Sequence, residues 1–208
     1  MLPTRIAIDI DEVLCPFFHP MVKRRGKVVP TKPHPYVYRK ALNITEEESR
    51  SMVREFYTSD EFKNLPTIKY ADYALYQLKG RDHVLYAVTG RQSVARDATE
   101  TWLNTHFPNV FQDLVMTNSF TPKEIPKSHL CSSLNLNAII DDSFETCRDC
   151  KNEGLEAIHF VGAPLYPWCH VTDPDIRRVS NWLEVLNEFP LVSSSNSPSD
   201  CADTDPMC

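Results

Sequence analysis

Two aspartates, Asp9 and Asp11, end the apolar run RIAIDID near the start of the sequence and could bind a cation. Side chains two residues apart on an extended chain point to the same side, so their like charges repel unless a cation lies between them. Two interpretations are open at this point. The run is either an amphipathic strand that turns Ala7, Asp9 and Asp11 to solvent, or a buried strand with a metal site at its carboxyl end.

Polar residues also follow or precede the later apolar runs of the chain. They are Thr89, Gly90 and Arg91 after HVLYAV, Asp141 and Asp142 after NAII, and Lys127 ahead of that second run. Because ligands of parallel α/β sheets bind outside the carboxyl ends of the strands, we expect these side chains to converge at one edge. Clustered carboxylates with a hydroxyl and an amine favour a hard cation, so the sequence predicts Mg²⁺ as a cofactor.

The elements that must position these residues alternate regularly along the chain. Apolar runs predict strands at 5–10, 83–88, 111–118, 137–140 and 156–161, with amphipathic segments between them. Alternation of strand and helix with short connections is typical of a parallel sheet covered by helices on both faces. The predicted fold class is therefore α/β, with a Rossmann-like parallel sheet flanked by helices.

A second, smaller unit is predicted directly after the first strand. The stretch 22–36 is basic and contains three prolines, which indicates a loop or hairpin. Thr45 with Glu48 forms a capping box ahead of a helix, and Ser59 begins a second, short helix. We expect a core at 1–15 and 76–190, a small helical cap at 16–75 and a disordered tail at 191–208.

The composition bounds the function further. The 208 residues carry a formal net charge of −6, which argues against a nucleic-acid polymer as partner and leaves room for a small phosphorylated substrate. No apolar run of the sequence is long enough to cross a membrane, and we expect no secretory signal, because MLPTRIAIDI lacks a basic start followed by a long apolar stretch. Seven scattered cysteines favour reduced thiols and a cytoplasmic protein. Whether the protein forms a homodimer stays an open question at this point.

The order of the motifs resembles a known family. DIDEV (9–13), VTGR (88–91), a lysine and IIDDS (139–143) are similar to the four motifs of the haloacid dehalogenase-like (HAD) superfamily of phosphohydrolases. The resemblance covers about residues 5–190, and the segments YPWC and RRVSNWLEV resemble the 5′-nucleotidase/5′(3′)-deoxyribonucleotidase branch. It implies a HAD-like core with a cap, and Mg²⁺-dependent hydrolysis of phosphomonoesters, for example nucleoside monophosphates.

The resemblance also implies roles for individual residues. Asp9 would be the nucleophile that forms an aspartyl-phosphate, and Asp11 the general acid/base whose backbone carbonyl helps to hold the metal. Thr89 and the backbone N–H of Gly90 would bind the phosphoryl group, together with Lys127.

The resemblance assigns the metal to carboxylates of two strands. Asp142 would ligate Mg²⁺ together with Asp9 and Asp11, and Asp141 would support the site and could position Lys127. Lys123, four residues earlier, is the alternative to Lys127. Arg91 is predicted to be a solvated residue of a first helical turn.

One departure from the family pattern bears on activity. Glu12 stands where the family has glycine, and its charge is expected near the phosphate site. Two alternatives to a nucleotidase therefore stay open: a phosphatase of another small metabolite such as a sugar phosphate, and a phosphate-binding module with little turnover. The aromatic residues Tyr36, Tyr38, Phe56 and Tyr57 are expected to form the core of the cap.

Overall fold

A computed structural model describes residues 4–190 of the chain. One sheet contains all its strands: β1 (Arg5–Ile8), β2 (Val84–Thr89), β3 (Phe111–Met116), β4 (Ala138–Asp141), β5 (Glu156–Phe160) and β6 (Arg177–Val179). The strands are parallel and follow the order β3-β2-β1-β4-β5-β6. The five predicted strands are confirmed. The sixth was missed because its three residues, RRV, form no apolar run.

Helices connect the strands and cover the sheet. They are α1 (Phe18–Arg24), α2 (Tyr38–Leu42), α3 (Glu46–Tyr57), α4 (Asp60–Lys63), α5 (Ala71–Gly80), α6 (Arg96–His106), α7 (Lys127–Ser133), α8 (Phe144–Asn152) and α9 (Trp182–Glu188). Ile6 and Ile8 of β1 pack with residues of α5, α6 and α9, whereas Ala7 packs on the opposite face with α7 and α8. The predicted α/β class is therefore confirmed.

The first strand lies at the centre of the sheet. Ile6 pairs with Leu85 of β2 on one side and with Ala138 of β4 on the other. Ala7 and Asp9 are both buried, so β1 does not present a polar face to solvent. The strand order changes direction between β1 and β4, which opens a crevice at their carboxyl ends.

A helical region, α1 to α4, lies between β1 and β2, as the sequence predicts. Thr45 Oγ1 accepts the N–H of Glu48 at 3.1 Å, and Ser59 Oγ accepts the N–H of Phe62 at 3.1 Å. Both predicted caps are therefore present. The α1 helix was not predicted, and it reaches into the basic stretch that was interpreted as a loop.

The division into a core (1–15 and 76–190) and a cap (16–75) stays a prediction, and its boundary at residue 75 lies inside α5. The predicted disordered tail, 191–208, falls outside the described residues. No helix among residues 4–190 combines the length and the apolar composition needed to cross a bilayer. The five cysteines of this part of the chain are buried and form no disulfide.

Candidate active site

Three buried aspartates meet where β1 and β4 end. Asp9 directly follows β1, and its backbone N–H donates to the carbonyl of Ile140 at 3.0 Å. Asp141 is the last residue of β4, and Asp142 follows it. One carboxylate oxygen of Asp9, Asp141 and Asp142 lies within 4.8 Å of the others, and all three side chains are almost fully buried. Pairing of the two strands thus creates the cluster.

One lysine contacts this cluster. Lys127 is the first residue of α7, and its Nζ lies 2.8 Å from Asp9 Oδ1 and 2.6 Å from Asp141 Oδ2. The N–H of Ser143 donates to the other oxygen of Asp141 at 2.9 Å, so this carboxylate is bonded on both sides. Lys123 is exposed instead. Of the two candidate lysines, Lys127 is the one that reaches the aspartates.

The cluster contains a carboxylate oxygen that is free to bind a cation. Trp168 donates its indole N–H to Asp142 Oδ2 at 2.8 Å, but Asp142 Oδ1 is buried and has no hydrogen-bond partner within residues 4–190. A buried acceptor of this kind is costly unless a ligand satisfies it. Three carboxylates with a single ammonium group leave an excess of negative charge, and hard oxygen donors are the ligands that Mg²⁺ prefers. The residues present therefore fit a divalent cation.

The electrostatics of the cluster point the same way. Burial raises the pKa of Asp9 to about 7, opposed by Lys127 and assisted by Asp141 and Asp11. Burial also raises the pKa of Asp142, and the charges of Asp141 and Asp9 add to the effect. Burial alone would lower the pKa of Lys127, but Asp141 and Asp9 raise it above its usual range. The charged carboxylates therefore need more positive charge than Lys127 provides.

The side chain of Asp11 lies apart from the three-carboxylate cluster and pairs with Arg91. Arg91 Nη2 lies 2.7 Å from Asp11 Oδ1, and Nε lies 3.1 and 3.2 Å from the two oxygens. The arginine is 2% exposed, so the prediction of a solvated Arg91 is wrong. Its burial follows from the contact with Asp11, which joins positions 80 residues apart and leaves no local signal in the sequence.

Glu12 occupies a position that favours glycine. Its φ is +63°, in the left-handed region, which costs about 1 kcal/mol or more for a residue with a side chain. The carboxylate is turned towards α1, where Oε1 accepts the N–H groups of Phe17 at 2.8 Å and Phe18 at 2.6 Å. Burial raises its pKa to about 7, opposed by these two hydrogen bonds. The side chain thus bonds to the start of the cap region, and not to a group in the cleft.

A cleft of about 430 Å³ opens beside the cluster. Asp9, Asp11, Gly90 and Lys127 line one part of it, and Tyr36, Tyr38 and Tyr57 of the helical region line another. The expectation that the aromatic residues form the core of the cap holds for Phe56 and Tyr57, which are buried in the main apolar cluster, whereas Tyr36 and Tyr38 are only partly buried. The volume lies in the range that small-molecule sites occupy.

Thr89 ends β2, and Gly90, which lines the cleft, follows it. Thr89 is the last residue of the strand and is fully buried, and its hydroxyl accepts the N–H of Arg91 at 3.2 Å. A Cβ at Gly90 would come within 3.2 Å of Ser119 Oγ, so a larger residue would push against this neighbour. Gly90 therefore lets the chain pass closely beside Ser119.

Solved structures of similar fold match almost the whole chain. One from Clostridium acetobutylicum, described as a predicted phosphatase, has a TM-score of 0.66 at 14% identity, and the match covers 90% of this chain and 98% of that one. A hydrolase of the haloacid dehalogenase-like family from Streptococcus pneumoniae has a TM-score of 0.61 at 16% identity, covering 90% and 99%. The chain has the haloacid dehalogenase-like fold.

A third solved structure, a predicted phosphoglycolate phosphatase from Haemophilus somnus, has a TM-score of 0.62 at 15% identity, and the match covers 89% of this chain and 97% of that one. No protein-family model matches the sequence, and no curated protein sequence matches it significantly. Identities of this size show the fold, and the chemistry of the site must decide the activity.

Within the haloacid dehalogenase-like fold, the predicted site residues fall into three groups. Asp9, Asp141, Asp142 and Lys127 contact one another or lie within 4.8 Å, and Asp11 and Gly90 line the cleft beside them. Thr89 is fully buried at the end of β2 and is not among the residues that line the cleft. Sequence reasoning gave no role to Trp168, which bonds Asp142. The sequence does not predict this hydrogen bond, because Trp168 and Asp142 are 26 positions apart and no local pattern marks the pair.

Proposed function

We propose that this protein is a Mg²⁺-dependent phosphomonoester hydrolase of the HAD type. The observation that carries the proposal is the buried cluster of Asp9, Asp141 and Asp142, with Lys127 as its only ammonium partner among the described residues. Such a cluster repels a phosphate dianion unless a cation is added, and it is suited to phosphoryl transfer once one is bound. The fold, shared with phosphatases and hydrolases, supports the same conclusion.

The metal would be held by carboxylate oxygens of Asp9 and Asp142 and by the backbone carbonyl of Asp11. Asp142 Oδ1, buried without a hydrogen-bond partner in the described part of the chain, supports its place among these ligands. Mg²⁺ bound there would screen the negative charge between the carboxylates and the phosphate. Asp141 holds Lys127 by its carboxylate and so acts as a supporting residue.

The chain's own residues would carry out the transfer in two steps. In the first, a carboxylate oxygen of Asp9 attacks phosphorus, the bond to the leaving oxygen breaks, and Asp11 gives that oxygen a proton. In the second, Asp11 takes a proton from water, the water oxygen attacks phosphorus, and the bond to Asp9 breaks to release phosphate. Lys127, Thr89 and the N–H of Gly90 would bind the phosphoryl oxygens throughout.

Nucleoside monophosphates are the substrates that the cleft supports best, as for a 5′-nucleotidase. Tyr36, Tyr38 and Tyr57 line the cleft together with the catalytic aspartates, so an aromatic base has rings to pack against. The proposed cap, residues 16–75, contributes these tyrosines and would close over the substrate to exclude water. A sugar phosphate is the second candidate, since the cleft also offers polar side chains such as Ser49 and Gln92.

Phosphate release tests the proposal directly. We expect Mg²⁺-dependent release from p-nitrophenyl phosphate and from nucleoside monophosphates, loss of release in EDTA, and loss in Asp9→Asn. A panel that includes sugar phosphates separates the two substrate classes. Binding of Mg²⁺ and phosphate without release, even at high protein concentration, would favour the phosphate-binding module and contradict the hydrolase.

A further inference from the structure

Two of the three guanidinium nitrogens of Arg91, Nε and Nη2, donate hydrogen bonds to Asp11. Nη2 and Nε both donate to Asp11 Oδ1, at 2.7 and 3.1 Å, while Oδ2 receives only the longer contact of 3.2 Å from Nε. The two oxygens of Asp11 are therefore unequal: Oδ1 is held by two N–H groups, and Oδ2 keeps more of its capacity for another partner. The Asp11 side chain is 19% exposed, while that of Arg91 is 1% exposed.

The guanidinium is itself fixed from several sides. Nη1 donates to Thr99 Oγ1 at 3.1 Å, and the Thr99 hydroxyl in turn donates to the carbonyl of Ala95 at 2.8 Å. The guanidinium carbon lies 4.7 Å from the ring centre of Phe62 and 5.8 Å from that of Phe17. Because Phe62 belongs to α4, this core arginine contacts the helical region inserted after β1.

From this geometry we infer that Arg91 is a positioning residue for the proton transfers of Asp11. It holds Oδ1 by two N–H groups and leaves Oδ2, on a side chain that lines the cleft, as the oxygen that gives a proton to the leaving group and takes one from water. The inference rests on the proposed function and adds to it a residue that acts through Asp11. Its contacts with Phe62 and Phe17 tie the orientation of Asp11 to the cap region.

The orientation of Asp11 depends on the planar shape of the Arg91 guanidinium. A planar guanidinium can bond both carboxylate oxygens and Thr99 at once, whereas a lysine at position 91 offers a flexible point charge without a fixed direction. Arg91→Lys therefore keeps the charge and loses the orientation. A merely structural ion pair would lower stability and slow every substrate alike.

The test compares leaving groups. Phenyl phosphate needs its leaving oxygen protonated much more than p-nitrophenyl phosphate does, because p-nitrophenolate is the more stable anion. The ratio kcat/KM reports phosphoryl transfer to Asp9, so this ratio is measured for both substrates with Mg²⁺. General acid catalysis contributes about 100-fold or more, so Arg91→Lys and Arg91→Met should lose about 100-fold on phenyl phosphate and less than about 10-fold on p-nitrophenyl phosphate.

Two reference variants define the scale. Asp11→Asn removes the acid outright and sets the largest substrate difference, and Arg91→Lys added to Asp11→Asn should cause little further loss. Arg96→Met is the matched control, because Arg96 is half-exposed and pairs with Glu100 on the surface of α6. Its kcat/KM should equal that of the wild type on both substrates.

Thr99→Val provides a milder variant if Arg91→Met fails to fold. It removes one hydrogen bond from the guanidinium and should lower kcat/KM about 5-fold on phenyl phosphate with p-nitrophenyl phosphate unchanged. Equal losses on the two substrates, or no loss in folded Arg91→Lys and Thr99→Val, would overturn the positioning role while the proposed function stands. Absence of Mg²⁺-dependent release by the wild type would overturn both.

Discussion

The ammonium group of Lys127 lies 2.8 Å from Oδ1 of Asp9, which follows the central strand. The same nitrogen lies 2.6 Å from Asp141, so the lysine neutralises one charge between two buried carboxylates. Its side chain is almost as well buried as theirs, and buried ion pairs of this kind are costly to break. Lys127 is therefore in place to lower the repulsion between Asp9 and a phosphate group.

Lys127→Met should abolish most of the phosphatase activity, by about 100-fold or more, because the methionine leaves the Asp9 and Asp141 charges unscreened. Lys123→Met is the matched control, since Lys123 is exposed and four residues away on the same segment. Steady-state phosphate release measures both. A comparable loss of activity in the two variants would contradict a phosphate contact that is specific to Lys127.

Mg²⁺ should stabilise the protein against heat, and more strongly at high pH. Folding raises the pKa of Asp9 from 3.8 to about 7, so the stability that protonated Asp9 contributes to the metal-free protein is full below pH 3.8 and is lost as the pH rises towards 7. A bound cation removes this penalty. With Mg²⁺ at 100 times its Kd at pH 8, we expect Tm to rise by about 5–10 °C at pH 8. The same Mg²⁺ concentration should raise Tm by much less at pH 5.

The control for this measurement removes one metal ligand. Asp142→Asn should lose most of the Mg²⁺ effect and should be more stable than the wild type in EDTA at pH 8, because a neutral amide replaces a carboxyl group whose ionisation is opposed by burial and by Asp141 and Asp9. An equal Mg²⁺ effect in Asp142→Asn, or an effect that does not change with pH, would contradict a metal held by this cluster.

Much of the fold follows from the sequence because the signals are local. The strand–helix alternation, and caps such as Thr45 and Ser59, are encoded within a few residues of each element. The edge strand β6 could not be found in this way, because it has only three residues and is recognisable as a strand only by its pairing with β5. The α1 helix is also short, and the Glu12 carboxylate, five and six residues earlier, bonds the N–H groups at its start, so no standard capping residue marks it.

The aspartate cluster was predictable for a different reason. The ends of parallel strands meet at one edge, so a strand that ends in Asp9 and another that ends in Asp141 must bring them together. The partners Arg91 and Trp168 were not predictable, since their roles depend on side chains that cross the site to reach Asp11 and Asp142. Topology thus positions the cluster, and packing alone decides which neighbours orient it.

Trp168→Phe should weaken Mg²⁺ binding by about 10-fold or more, because the indole N–H that orients Asp142 is lost while a smaller aromatic ring takes its place. Isothermal titration calorimetry measures the change in Kd. Tyr166→Phe is the matched control: it removes a hydrogen bond from the same loop, from the Tyr166 hydroxyl to the Glu12 carbonyl at 2.8 Å, but none to Asp142. Equal weakening in both would indicate that the loop acts through the fold as a whole.

Glu12→Gln should change how stability depends on pH. Folding raises the pKa of Glu12 from 4.5 to about 7, so the folded state binds this proton more tightly than the unfolded state does. The stability contributed by the protonated form is full below pH 4.5, is lost as the pH rises to about 7, and stays lost above it. Glutamine carries no such charge, and its amide oxygen can still accept the N–H groups of Phe17 and Phe18.

The difference in free energy of unfolding between Glu12→Gln and the wild type should therefore shift in favour of the variant as the pH rises. The shift between pH 4 and pH 8 should be about 3 kcal/mol. Urea unfolding in EDTA measures it, and the titrations of Asp9 and Asp142 cancel because both proteins share them. Parallel stability curves would show that Glu12 stays ionised in the folded protein, held by the two backbone N–H groups at the start of α1, and that its charge carries no penalty there.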